Sequence, residues 1–198
     1  SALNKFTDFG IGQKDVANLQ LGKVDRQINL VQNRIEIDGV VNAIKDNKIG
    51  GDVYFFSDAG IAVGANGVFN VGRLTLGTNA AYGEALYNGG MEKHLAQSAT
   101  AQAKAVAGGS DITLQGKVYA QGDVIVGAGD VSLNGAAVRT HVDNAGTYAA
   151  QKTADEYRNQ LVNINTPSAT VATALGKGDV ALAAVGVPSE AKSFETKG

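Results

Sequence analysis

One pattern is written twice in this chain, and it leaves few folds open. The runs Ile35-x-Ile37-x-Gly39-x-Val41-x-Ala43 and Ile112-x-Leu114-x-Gly116-x-Val118-x-Ala120 place small or apolar side chains at every second position across a central glycine. A period of two is that of a strand with one buried face, and the glycine marks a bend. Similar short runs lie around both copies. Gly60-Ile61-Ala62-Val63-Gly64, Val68-Phe69-Asn70-Val71-Gly72 and Arg73-Leu74-Thr75-Leu76-Gly77 are each bounded by Gly, Asn or Arg. Val131-Ser132-Leu133 and Ala137-Val138 echo them later. Strands this short cannot form a stable hairpin sheet alone. They become stable when the chain coils and each strand pairs with its equivalent one coil away. The preferred hand of parallel connections makes such a coil right-handed. The expected fold is therefore all-β, a right-handed parallel β-helix (β-solenoid) with an N-terminal cap, formed as one domain by residues 1–198.

A second repeat supports the coil. Gly51-Asp52-Val53 opens Tyr54-Phe55-Phe56, Gly122-Asp123-Val124 opens Ile125-Val126, and Gly178-Asp179-Val180 opens Ala181-Leu182-Ala183-Ala184-Val185. The first of these is apolar at consecutive positions, which predicts a strand covered on both faces. Asp52 and Asp123 sit in equivalent turns, so they are expected to accept turn N–H groups. The asparagines Asn18, Asn33, Asn42, Asn66, Asn70 and Asn134 are expected at or beside turns, where stacked copies could form a ladder.

Two stretches break the strand pattern. From about 80 to 108 the chain is rich in alanine. Met91 to Ala107 is predicted to be one helix stopped by Gly108-Gly109, lying on the surface because its apolar face is weak. Gly89-Gly90 should separate it from a shorter helical turn near Ala81 to Tyr87. A second excursion, about 147–163, carries Ala150, Ala154, Tyr157 and Leu161 on one face, with Thr147 as a candidate N-cap.

Composition narrows function more than fold. Charged residues are 18% and the formal net charge is -2, which gives no electrostatic case for nucleic acid. There is no cysteine, hence no disulfide, thiolate metal site or thiol nucleophile. The 26 glycines show no period of three, which excludes collagen. No window carries an apolar run of membrane-spanning length. The chain opens Ser1-Ala2-Leu3-Asn4-Lys5 without a signal peptide, as a processed secreted chain would.

Chemical sites are sparse. His94 and His141 are expected to be ordinary surface residues, so no metal is expected. Gly10-x-Gly12, Gly127-x-Gly129 and Gly176-x-Gly178 lack the third glycine of a dinucleotide fingerprint, so no cofactor is expected either. A β-helix polysaccharide lyase or hydrolase would need clustered carboxylates beside a cation. Asp38, Asp52, Asp58, Asp123 and Asp130 are the candidates, but no catalytic residue is assigned and the chain is not expected to be an enzyme.

Residues Asn4 to Leu76 resemble the secretion domain of two-partner-secretion exoproteins of the filamentous-haemagglutinin type, nearest the leukotoxin-like filamentous adhesins. The carrying residues are Asn4-Lys5-Phe6-Thr7-Asp8-Phe9, Asn33 through Ala43, Lys48-Ile49-Gly50-Gly51 through Phe56, Gly60 through Gly64, and Gly67 through Gly72. The family's usual proline is missing from Ser57-Asp58-Ala59-Gly60. The resemblance implies a capped right-handed parallel β-helix at the N-terminus of a large surface adhesin. It implies a partner, an outer-membrane β-barrel transporter with periplasmic docking domains, and a secreted or cell-surface location. On this reading Asn4, Phe6 and Phe9, with the turns at Asn42 and Gly60, are candidate residues for transporter recognition or folding. The domain is expected to be a monomer. The alternative is an autonomous module binding host glycan or protein through a flat face or the Met91–Ala107 helix.

Overall fold

The computed structural model describes residues 1–133, 136–146, 152–160 and 180–184. The first coil comprises β1 (Ala2–Phe6), β2 (Gly10–Ile11) and β3 (Val16–Gln20). The second comprises β4 (Arg26–Val31), β5 (Ile35–Ile37) and β6 (Val40–Lys45), followed by the short β7 (Lys48–Ile49). Then come β8 (Asp52–Phe56), β9 (Ile61–Val63) and β10 (Val68–Val71). The fourth coil is β11 (Arg73–Gly77), β12 (Asp111–Leu114) and β13 (Lys117–Ala120), and the fifth is β14 (Val124–Ala128), β15 (Asp130–Ser132) and β16 (Ala137–Arg139). Finally, β17 (Val180–Ala184) adds to β14.

The strands sort into three sheets. The first sheet runs β1-β4-β8-β11-β14-β17, the second β2-β5-β9-β12-β15, and the third β3-β6-β10-β13-β16. Every pairing along these paths is parallel, and β7 alone among the described strands pairs antiparallel, against β6. The chain visits the first, second and third sheet in that order in each coil. This is the pairing of a parallel β-helix or solenoid, in which the coil itself is the crossover between parallel strands.

Register explains the doubled pattern. Ile35 lies beside Ile61, Ile61 beside Ile112, and Ile112 beside Val131. Val41 lies beside Phe69, and Phe69 beside Val118. A coil built on Ile61, Val63, Phe69 and Val71 thus separates the two copies recognised in the sequence. Its spacing differs: the corner Gly64-Ala65-Asn66-Gly67 is longer than Asp38-Gly39. The inward residues of all three sheets form one apolar cluster, and each fully buried aliphatic or aromatic side chain contributes about 1.5–3 kcal/mol. Glycine at the bend is a packing requirement. A Cβ on Gly39 would sit 2.3 Å from the Gly12 carbonyl oxygen, and one on Gly116 would sit 2.3 Å from that of Gly67.

The outer faces differ. In the first sheet, Ile28, Tyr54, Phe56 and Ile125 point outward and are buried under the excursion between β11 and β12. The excursion contains α1 (Ala80–Ala85), a π-helical turn (Leu86–Gly90), α2 (Met91–Leu95) and α3 (Ala99–Val106). Gly89-Gly90 lies where two helices part, as expected: the turn joining α1 to α2 has non-helical backbone at Asn88 and Gly89. One expectation is corrected. The single helix expected from Met91 to Ala107 breaks before Ser98, whose hydroxyl caps α3 by accepting from the Ala101 amide at 3.1 Å.

As expected, α3 lies on the outside of the molecule, but it is packed tightly on the first sheet. Ala103 and Val106 are fully buried. The Ala103 carbonyl oxygen would be 2.0 Å from a Cβ on Gly127, and that of Val106 would be 2.7 Å from one on Gly77. Alanine over glycine lets the helix backbone settle on the sheet, so a face weak in apolar side chains is still tightly packed.

The third sheet is covered by α4 (Ala154–Gln160), through Ala154 and Tyr157 packed with Val40, Val68, Tyr119 and Val142. Thr153 caps this helix, its hydroxyl accepting from the Glu156 amide at 3.2 Å. The expected cap Thr147 and the positions Ala150 and Leu161 lie outside the described residues, as do Asn134, Gly178 and Asp179.

Candidate recognition surface at the first coils

Five residues were singled out from the sequence, and the structure places three of them together. Asn4 and Phe6 are on β1, and Phe9 lies in the bend between β1 and β2. The Phe6 and Phe9 rings meet edge to face at 5.5 Å between centroids, Phe9 meets Phe55 at 5.1 Å, and Phe55 meets Phe69 at 6.1 Å. The four rings form a continuous aromatic column from the end of the stack into the apolar core. Phe55 and Phe69 are fully buried, whereas Phe6 and Phe9 are half-buried because no coil lies above them among the described residues. Ile11, Leu19 and Val24 are half-buried around them. The backbone polar groups on the outer edges of β1, β2 and β3 have no partner strand among the described residues.

Asn4 turns inward. Its Nδ2 donates to Asn29 Oδ1 at 3.1 Å, and Asn29 Nδ2 donates to the Tyr54 carbonyl at 3.3 Å. Below this level the same columns become apolar: Asn29 is followed by Phe55 and Leu76, and Gln27 by Val53 and Leu74. These two columns of the first sheet therefore grade from polar to apolar along the stack.

Asn42 lies elsewhere, and not in a turn as expected. It sits inside β6, on the outer face of the third sheet, fully buried. Its Nδ2 donates to Asn18 Oδ1 at 3.0 Å, and Asn70 Nδ2 donates to Asn42 Oδ1 at 2.9 Å. Equivalent residues in three successive coils thus form the ladder that the sequence suggested, but within strands. Gly60 does close a turn, with φ +102° and its amide donating to the Ser57 carbonyl at 3.1 Å. In that turn the Ser57 hydroxyl donates to the Asn33 carbonyl and accepts from the Ala59 amide. Asp58 Oδ1 accepts from the Ala80 amide at 2.8 Å, tying the corner to the start of α1.

A groove of about 430 Å³ opens beside Phe6, between the ends of β1 and β4 and the start of α1. Lys5, Leu30, Asp58 and Glu84 line it, and Lys5 Nζ donates to Glu84 Oε1 at 3.0 Å across its mouth. Both partners of that bridge are about half exposed or more, so it adds little stability.

Of the candidate carboxylates, Asp52 and Asp123 lie close enough to feel each other's charge, with Arg73 beside them. Asp52 and Asp123 are not held by turn amides as expected: they face arginines. Arg73 donates to Asp123 Oδ2 at 2.6 Å, and Arg26 Nε lies 3.9 Å from Asp52 Oδ2. Burial pushes the Asp52 carboxyl above the usual carboxylate value, and Arg73 and Arg26 oppose that rise. Burial, then the Asp52 charge, drives the Tyr54 hydroxyl up to about 12.

His94 corrects another expectation, since it is 1% exposed. Its Nδ1 hydrogen-bonds the Tyr82 hydroxyl at 2.6 Å, and its Nε2 is buried with no hydrogen-bond partner. Burial, then the nearby Arg73, lowers its pKa to about 4. Among the described residues no three of His, Asp and Glu gather to hold a metal, and no helix is long and apolar enough to cross a membrane.

Sequence reasoning missed Asn29, Phe55 and Phe69 as partners of the candidate site, because parallel pairing joins residues a coil apart. It also missed Arg158 on α4. That guanidinium donates to the carbonyls of Gln13 at 2.7 Å, Asp38 at 2.9 Å and Asn66 at 2.9 Å, one from each of three successive coils. No family model, curated protein or solved structure matches the chain.

Proposed function

We propose that the chain is the secretion-recognition module of a large filamentous surface protein. In this reading it is a right-handed parallel β-helix recognised during export by an outer-membrane barrel of the two-partner-secretion type. The observation that carries the reading is the half-exposed Phe6–Phe9 pair at an unpaired coil edge, within the stretch whose sequence resembles that family. During export the segment from Asn4 to Phe9 is presented unfolded, and the docking domains of the transporter capture it through its aromatic pair and its free strand edge. Outside the cell the same rings stack on Phe55 and Phe69, and later coils add on the first. No catalysis enters this account.

The test is export of a Phe6→Ala/Phe9→Ala double variant through the co-expressed barrel. Secretion should drop sharply, and the purified domain should bind the isolated docking domains more weakly. Circular dichroism of the purified variant separates lost recognition from lost folding. Undiminished secretion and binding would sink the proposal.

A further inference from the structure

The sequence contains three Asn-Gly pairs: Asn66-Gly67, Asn88-Gly89 and Asn134-Gly135. Asn134-Gly135 lies outside the described residues. The other two have opposite surroundings, and the difference bears on a chemical modification that Asn-Gly pairs undergo without an enzyme. In that reaction the backbone nitrogen of the glycine attacks Cγ of the asparagine. A C–N bond closes a five-membered imide, the C–NH2 bond breaks, and ammonia leaves. Water then opens the imide at one of its two carbonyls and leaves either aspartate or the β-linked isoaspartate. The step needs an accessible side chain, an unblocked glycine nitrogen and a backbone free to rotate.

Asn66-Gly67 meets only the first condition: Asn66 is exposed, but the glycine nitrogen and the backbone are both held. Gly67 is buried, and its amide donates to the Gly64 carbonyl at 2.9 Å. The Ile37 carbonyl oxygen would lie 2.8 Å from a Cβ at Gly67, so the backbone there is hemmed in. The Asn66 carbonyl is also held by Arg158. Asn88-Gly89 stands in contrast. Both residues are exposed, and nothing lies within 4 Å of the Cβ position of Gly89. Asn88 already departs from helical backbone (φ -84°, ψ 25°), and Gly89 has φ +113°. They occupy the kink between α1 and α2, where the backbone leaves helical geometry.

We propose that Asn88 is a site of spontaneous, selective deamidation, and that the reaction loosens α2 from the first sheet. The new carboxylate adds a negative charge to a segment that already carries Glu84 and Glu92. The isoaspartyl product also adds a backbone carbon to the turn that positions Met91 and His94, which are buried against the sheet and α1.

The experiment ages the full folded chain in mildly alkaline buffer and maps tryptic peptides by mass spectrometry. Cleavage after Lys48, Arg73 and Lys93 puts Asn66 and Asn88 in different peptides. The peptide with Asn88 should deamidate at least about tenfold faster than the one with Asn66, a barrier difference of about 1.4 kcal/mol or more. In chemical denaturant the two rates should converge. Comparable rates in the folded chain would overturn the selectivity, and so would a ratio that survives unfolding. The deamidated fraction, separated by anion exchange, should show faster amide hydrogen exchange over α2 than the intact fraction and than an Asn88→Gln control. Unchanged exchange there would overturn the loosening.

Discussion

The first and second sheets take one strand each from the same coils, yet their outer faces have opposite fates. Outward positions of the first sheet carry Ile28, Tyr54, Phe56 and Ile125, and helices cover them. Outward positions of the second carry Glu36, Ala62, Thr113 and Ser132, which are exposed or half-exposed. The inner face of the second is apolar, and that of the first is apolar from β8 onward. What an outer face carries therefore decides whether the chain must leave the coil to cover it. The third sheet follows the first, with Val40, Val68 and Tyr119 under α4.

Substitutions can break this comparison. The largest effect is expected from Phe56→Ala. The ring is fully buried, and Cβ atoms on Gly77 and Gly83 would lie 2.8 and 2.5 Å from it, so its loss leaves a void that the helix and sheet cannot readily close. Chemical denaturation should show a loss of about 3–5 kcal/mol. Next is Arg158→Met, which removes the guanidinium from three coil corners. A loss of about 2 kcal/mol is expected, within the range for hydrogen bonds made by a charged group. Amide exchange should rise in α4 and at the corners near Gly39 and Gly67.

Acid probes the covered face of the first sheet without mutation. The folded pKa of His94, about 4, lies below the ordinary value of 6.5. The folded protein therefore resists protonation that the unfolded chain accepts. Stability is full above pH 6.5 and falls as pH drops toward 4, by at most about 1.4 kcal/mol per pH unit from this group. A His94→Phe variant should flatten that part of the stability profile. An unchanged profile would mean that other groups set the acid dependence. The smallest effect belongs to the bare face, where Thr113→Ala should shift stability by less than about 0.5 kcal/mol. A Thr113 effect as large as that of Phe56 would erase the distinction between the faces.

Much of this was legible in the sequence because it depends on period. Alternation at Ile35–Ala43 and Ile112–Ala120 marked strands with one buried face, and consecutive apolar residues at Val53–Phe56 marked a strand covered twice. The coil between the two copies was harder to see, because Gly64-Ala65-Asn66-Gly67 lengthens its corner and shifts the period. The close seating of α3 was not legible, because Ala103 packs through backbone proximity to Gly127, which apolar periodicity does not register. Burial of His94 was invisible for a related reason: it depends on Tyr82 and on the sheet beneath. The candidate residues were legible singly, but the column Phe6–Phe9–Phe55–Phe69 and the ladder Asn18–Asn42–Asn70 required the coil register.

The column of charge at the start of the first sheet has a consequence for assembly. Down the stack the residues are Arg26, Asp52, Arg73 and Asp123, with signs alternating coil by coil. Successive coils are so alike that the natural error in building them is to skip one. If β14 settled on β8, Asp123 would meet Asp52; if β11 settled on β4, Arg73 would meet Arg26. Like charges on adjacent strands disfavour both mistakes. The alternation acts as a parity check on coil order, disfavouring an assembly with one coil left out.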